Sequence, residues 1–174
     1  MKRKIGFIFG IGLCLMTVQV VFAQVQADIQ KFNSCKYCGM DREKFGHSRM
    51  LLEYDDASAV GTCSIHCLAV DLGLNIDKTP KNISVGDYYL KKLIDAENAV
   101  WVIGGNKMGV MTRRAKWAFE KKGDAEKFIA ENGGALVAFD EAMKAAYEDM
   151  YQDTKMIREK RKMMKKSMTE HKHQ

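Results

Sequence analysis

The 174-residue chain has one proline, Pro80, only four histidines, and aromatic residues at 9%. With 47% apolar and 29% charged residues it has the balance of a folded chain, neither collagen-like nor disordered. The histidines are His47, His66, His171 and His173, and no serine lies in a nucleophile-elbow glycine pattern, so a Ser-His-Asp hydrolase is hard to build. A phosphate loop is missing as well. Gly104-Gly105-Asn106-Lys107-Met108-Gly109 is glycine-rich but lacks the spacing and the Lys-Ser/Thr ending that cradle phosphates. A chain of this length buries roughly two-thirds of its unfolded surface and needs no metal merely to have a core. A metal site would therefore serve function or staple a subdomain.

The formal charge of +6 is unevenly placed. Lys2, Arg3 and Lys4 precede an apolar run from Ile5 to Phe22, and Val21-Phe22-Ala23 fits a signal-peptidase site, so cleavage after Ala23 and export are expected. Gly6, Gly10, Gly12, Thr17 and Gln19 weaken the same run as a membrane span. Leu13 stands before Cys14 where lipoprotein processing takes a small side chain, so lipid anchoring is not the expectation. At the other end, residues 155–174 hold eight Lys/Arg against Glu159 and Glu170: a basic tail on a mildly acidic body. Nucleic-acid binding would need that charge on the body, with aromatics interleaved.

Export leaves Cys35, Cys38, Cys63 and Cys67 in the mature chain. The pattern is C-x2-C, 24 residues, then C-x3-C, which suits a four-cysteine zinc site, two disulfides or a soft-metal site. Residues 24–33 are polar and read as a tether. Arg49 to Tyr54 reads as a strand, and Ile65, Leu68, Ala69 and Leu72 mark a helix capped by Thr62 or Ser64 and ended by Gly73. That makes residues 34–77 a first unit, with the stretch around Pro80 as boundary. The second, 84–142, has strands at Tyr88 to Leu93 and Ala99 to Ile103, and more extended chain around a loop with Arg113 and Arg114. A helix capped by Asp124 follows, and Ala135 to Phe139 returns as a strand. The fold class is α+β: two small related strand-strand-helix units, the first treble-clef-like, then a long helix over 143–174.

Twelve methionines are many for this length, and several neighbour cysteine or glycine. Cys35-Lys36-Tyr37-Cys38-Gly39-Met40 places two thiols and a thioether in one turn, and Met108-Gly109-Val110-Met111 offers two more thioethers. Such donors are soft and favour Cu(I), which accepts two or three of them. A packed core would use the same methionines as gap fillers. Cys63 and Cys67 can form a disulfide or complete a zinc knuckle.

At these residues the chain resembles the NosL family, the copper accessory proteins of nitrous oxide reductase. Cys38-Gly39-Met40, the stretch VWVIGGNKMGVMTRRAKWAF and the stretch DAEKFIAENGGALVAFDEA, which begins at Asp124, carry the likeness, which runs from about Cys35 to Met143. It implies two related β/α halves, export, and Cu(I) passed to the assembly machinery of a copper enzyme, with Cys38, Met40 and Met111 on the family's motif positions. Val110 and Thr112 depart from its Gly-Pro-Met-Gly loop, and the Cys63/Cys67 pair and the Met/His tail are not general family features. The expected function is an exported Cu(I) metallochaperone, not an enzyme. Cys38, Met40, Met111, Cys35 and Met108 are its metal site, and Cys63 and Cys67 a secondary or structural one. Its partners are copper-enzyme assembly proteins, with an acidic partner or membrane surface for the basic tail. A Zn(II)-stapled protein-binding module and a C-x-x-C thiol oxidoreductase are the alternatives.

Overall fold

The computed structural model describes residues 27–171; the apolar amino-terminal run and its expected cleavage after Ala23 lie outside them. In chain order the elements are α1 (Ala27–Lys31), β1 (Met50–Tyr54), β2 (Ala59–Thr62), α2 (Ile65–Leu74), β3 (Pro80–Gly86) and β4 (Leu93–Asp95). Then come β5 (Val100–Ile103), β6 (Lys116–Phe119), α3 (Lys122–Asn132), β7 (Ala135–Val137) and α4 (Phe139–His171). Among the described residues no helix is long and apolar enough to cross a membrane.

The strands form two antiparallel sheets, β2-β1-β3-β4 and β6-β5-β7. In each, the first strand of the unit is central, flanked by its hairpin partner and by the strand that returns after the helix. The two units therefore share one strand-strand-helix-strand plan, to which the first adds β4. This is the α+β architecture expected, with the long carboxyl-terminal helix in place.

Several boundaries differ from the sequence reading. Pro80 opens β3 and marks no break: a proline can occupy the first residue of a strand, where its missing N–H costs no ladder bond. The first sheet consequently runs on through Asp95 rather than ending at 77. Tyr88 to Leu90 forms a turn because Asp87 Oδ1 accepts the amides of Tyr89 and Leu90, so the strand begins only at Leu93. Gly73 lies inside α2, which Asn75 caps. Helix α3 starts two residues before Asp124, which then favours the positive end of its dipole as a first-turn acid. Phe139 belongs to α4, not to the returning strand.

Residues 27–31, placed in a tether, are the largest departure. They form α1, and its Asp28 carboxylate is buried between two arginines that are themselves fully buried. Arg42 Nη2 donates to Asp28 Oδ2 at 2.8 Å, and Arg49 Nε and Nη2 donate to its two oxygens at 2.9 and 3.0 Å. Arg42 also donates to the carbonyls of Met50 and Thr62 at 3.0 and 3.1 Å, so one guanidinium ties α1 to both strands of the first hairpin. Gly61 is required beneath it: a Cβ there would fall 2.8 Å from the Arg42 guanidinium carbon.

Two buried clusters follow from strand alternation. Trp101 of β5 points into a core shared by β1, α2 and α4, with Leu52, Leu68, Phe139 and Ala142. Its neighbour Val102 points the other way, into a core of Trp117, Phe119 and Phe128 that also takes in Cys35, Cys63 and Cys67. The cysteines of the first unit thus pack against the sheet and helix of the second.

Candidate metal centre

The C-x-x-C-G-M segment closes into a tight loop between α1 and β1. Cys35 N–H donates to the Met40 carbonyl at 2.8 Å and Gly39 N–H to the Cys35 carbonyl at 2.9 Å, while Ser34 bridges to Asp41. Gly39 has φ +74°, a left-handed conformation in which any Cβ is strained, so the glycine sets the return of the chain. The second pair comes from the β2–α2 junction. Cys63 follows the last residue of β2, extended Ser64 is the N-cap, and Cys67 sits in the first turn of α2.

All four Sγ atoms lie within 4.8 Å of one another, with Cys38–Cys63 at 3.4 Å and Cys63–Cys67 at 3.8 Å, and none is in a disulfide. Cys35, Cys63 and Cys67 are buried; Cys38 is half-buried and forms the open side. The sulfurs share protons unequally. Hydrogen bonds from Cys38, then Cys63 and Cys67, hold the Cys35 thiol far below the ordinary range. Cys38 is pulled up by Cys35, but donation from Cys63 and Cys67 outweighs this and leaves it lowered. Cys63 and Cys67 are pushed up by the neighbouring Cys35 and Cys38 sulfurs and by burial. Four mutually adjacent sulfurs, three of them buried, make a compact soft-donor nest for a soft cation.

Met40 and Met111 are partly buried and pack on the core that takes in Cys35, Cys63 and Cys67, whereas Met108 is 78% exposed and belongs to neither core. Met111 holds φ +61°, a strained conformation for a residue with a side chain, and the loop around it is pinned from α4. Arg113 N–H donates to Asp153 Oδ1 at 3.0 Å, and Lys116 Nζ to Asp149 Oδ2 at 2.7 Å. Asp153 also lies 3.7 Å from His66 Nδ1, on the helix that carries Cys67. Burial lowers the His66 imidazole although Asp153 opposes it.

The structure thus draws together the two cysteine pairs that the sequence left in separate roles. Met40 and Met111 pack on the same core as Cys35, Cys63 and Cys67, and Met108 does not. Sequence reasoning missed Asp71, whose fully buried carboxylate accepts from Tyr37, Tyr54 and Lys36. Lys36 and Tyr37 are the two residues between Cys35 and Cys38, so α2 holds the knuckle from below.

The NosL family profile matches residues 26–147, which spans both units and the start of α4. The chain belongs to the NosL family. Among solved structures it is similar to the crystal structure of the copper chaperone NosL from Shewanella denitrificans, at 29% identity and a TM-score of 0.49, covering 62% of this chain and 87% of that one. No curated protein matches it. Within the NosL match lie all four cysteines, Met40 and Met111; most of α4 lies beyond it.

Proposed function

We propose that this NosL-family chain is an exported Cu(I)-binding metallochaperone that serves the assembly of a copper enzyme and catalyses no reaction itself. The observation that carries the reading is the donor set: four thiols within 4.8 Å of one another, beside a core on which Met40 and Met111 also pack. Cu(I) is the cargo. It is satisfied by two or three soft ligands, so a site offering more can exchange one Cu–S bond for an acceptor's sulfur before another breaks. The half-buried Cys38 and its neighbour Met40 form the side through which that exchange runs, while Cys63 and Cys67 stay behind it. Export follows from the amino-terminal run, and the family's link to nitrous oxide reductase makes its assembly machinery the first acceptor to test.

One observation favours a second reading. Sulfur separations of 3.4 and 3.8 Å are near the edge of a tetrahedron built on zinc–thiolate bonds of about 2.3 Å, so Zn(II) can close the same four cysteines as a staple. Competition of the reduced protein against a Cu(I) chelator and a Zn(II) chelator separates the two. The copper reading expects one tight Cu(I) and about a tenfold weaker hold after Met40→Ala or Met111→Ala, because thioethers add to copper affinity and little to zinc affinity. Unchanged Cu(I) affinity in both variants, with Zn(II) retention abolished by Cys63→Ser, would give the site to zinc.

A further inference from the structure

The outer turns of α4 lie beyond the NosL match and play no part in either core. Residues 155–169 hold seven Lys/Arg against Glu159 alone, and every residue from Arg158 to Thr169 is exposed. Lys155, Arg158, Lys162 and Lys165 recur at i, i+3, i+7 and i+10, which puts them on one face of the helix. On that face Lys155, Arg158 and Lys162, with Tyr151, Thr154 and Glu159, line a depression of about 310 Å³. The segment also reaches the metal centre: Arg161 Nη2 donates to the Cys38 carbonyl at 3.4 Å. Positive charge is therefore concentrated at the rim of the half-buried cysteine, on a body that is otherwise mildly acidic.

We propose that this basic helical segment is a docking surface for an acidic protein, which it steers to the Cys38 side of the cluster. That the docked protein exchanges copper rests on the function proposed above; the docking does not. Like charges three and four residues apart destabilise an isolated helix, and a partner rich in carboxylates relieves that repulsion while gaining a fast, steered encounter. A lipid surface fits less well. An interfacial helix needs an apolar stripe of Trp, Phe or Leu, and residues 155–169 contain none of these. Their apolar side is Met156, Ile157, Met163, Met164 and Met168, and Lys160 stands in the middle of it by helical spacing.

The test uses the full, reduced, metal-free protein and a fluorescent peptide rich in Asp and Glu, with fluorescence anisotropy at several salt concentrations. Binding should weaken steadily as salt rises. It should fall at least about tenfold in Arg158→Glu/Lys162→Glu/Lys165→Glu, three exposed positions outside the metal centre. Bound peptide should also slow alkylation of Cys38 in the wild type and not in the triple variant. If the glutamate set loses helix by circular dichroism, Arg158→Gln/Lys162→Gln/Lys165→Gln decides, with a smaller loss expected. No binding, binding indifferent to the substitutions, or tighter binding to a DNA duplex or to phosphatidylglycerol vesicles would overturn the proposal. Cu(I) stoichiometry measured on the same samples keeps the two claims apart: peptide binding without copper binding removes the chaperone reading alone, and the converse removes the docking surface alone.

Discussion

Asp71 shows how much of the metal centre depends on a residue that is not a ligand. Its carboxylate is fully buried and takes hydrogen bonds from Tyr37 and Tyr54, and from Lys36 at 3.2 Å. Burial alone would raise it, but bonds from Tyr37, Tyr54 and Lys36 outweigh that and hold it below the usual carboxylate range. A depressed carboxylate contributes stability that is full above its unfolded pKa of about 4 and is lost as pH falls through the lower folded value. Lys36 is 54% exposed, so the tyrosines supply most of the effect. Asp71→Asn should cost about 2 kcal/mol in urea denaturation at neutral pH, and the gap to wild type should narrow in acid. A gap that persists unchanged at low pH would mean that the cost is packing, not charge. None of this was visible in the sequence, where Asp71 looks like any polar residue on a helix. The four cysteines were legible because their spacing repeats a metal-binding pattern. Asp28 was not, because no periodicity reveals a carboxylate that will be buried between arginines 14 and 21 positions away.

At the scale of elements, α4 is both a core helix and the brace of the Met111 loop. Its first turns bury Phe139, Ala142 and Ala146 against β5 and α2, although the sequence placed Phe139 in a strand and began the helix only at residue 143. Its middle turns hold the loop through charge. Lys116 has a 1% exposed side chain, bonded to Asp149 at 2.7 Å, and Asp149 also pairs with Arg114 at 2.9 Å. Bonds from Arg114 and Lys116 lower the Asp149 carboxyl against the pull of burial. Removing it strands a buried ammonium, so Asp149→Ala should destabilise by about 3 kcal/mol, whereas Glu148→Ala, which breaks an exposed pair with Arg114, should stay within about 0.5 kcal/mol. Equal losses from the two would remove the brace. The hairpin partner β2 and the strand β3 escaped the sequence because they are short and lie beside turn signals, Asp55-Asp56 for one and Pro80 for the other. What set their register was pairing with β1, a long-range contact that no local pattern carries.

At the scale of the whole molecule, the cysteines of the first unit complete the core of the second, so a metal bound there fastens two halves that each have their own sheet. Binding then becomes folding stability, by mass action on the folded state alone. The proton distribution gives this linkage a direction. Cys63 and Cys67, pushed up by their sulfur neighbours and by burial, must lose protons before they can act as ligands. The rise in melting temperature on adding Zn(II), which calls on all four thiolates, should therefore grow steadily as pH rises. The rise with Cu(I), satisfied by two or three ligands, should depend on pH less. Alkylation of the metal-free protein reads the same distribution from outside. Cys38, the one half-buried sulfur of the four, should be labelled first; Cys63 and Cys67 should follow only as the molecule opens, and Cu(I) should protect Cys38 in proportion to occupancy. Early labelling of Cys63 or Cys67 would mean that the cluster opens from its other side. An acceptor would then approach across the β2–α2 junction instead of the rim where Arg161 meets the Cys38 carbonyl.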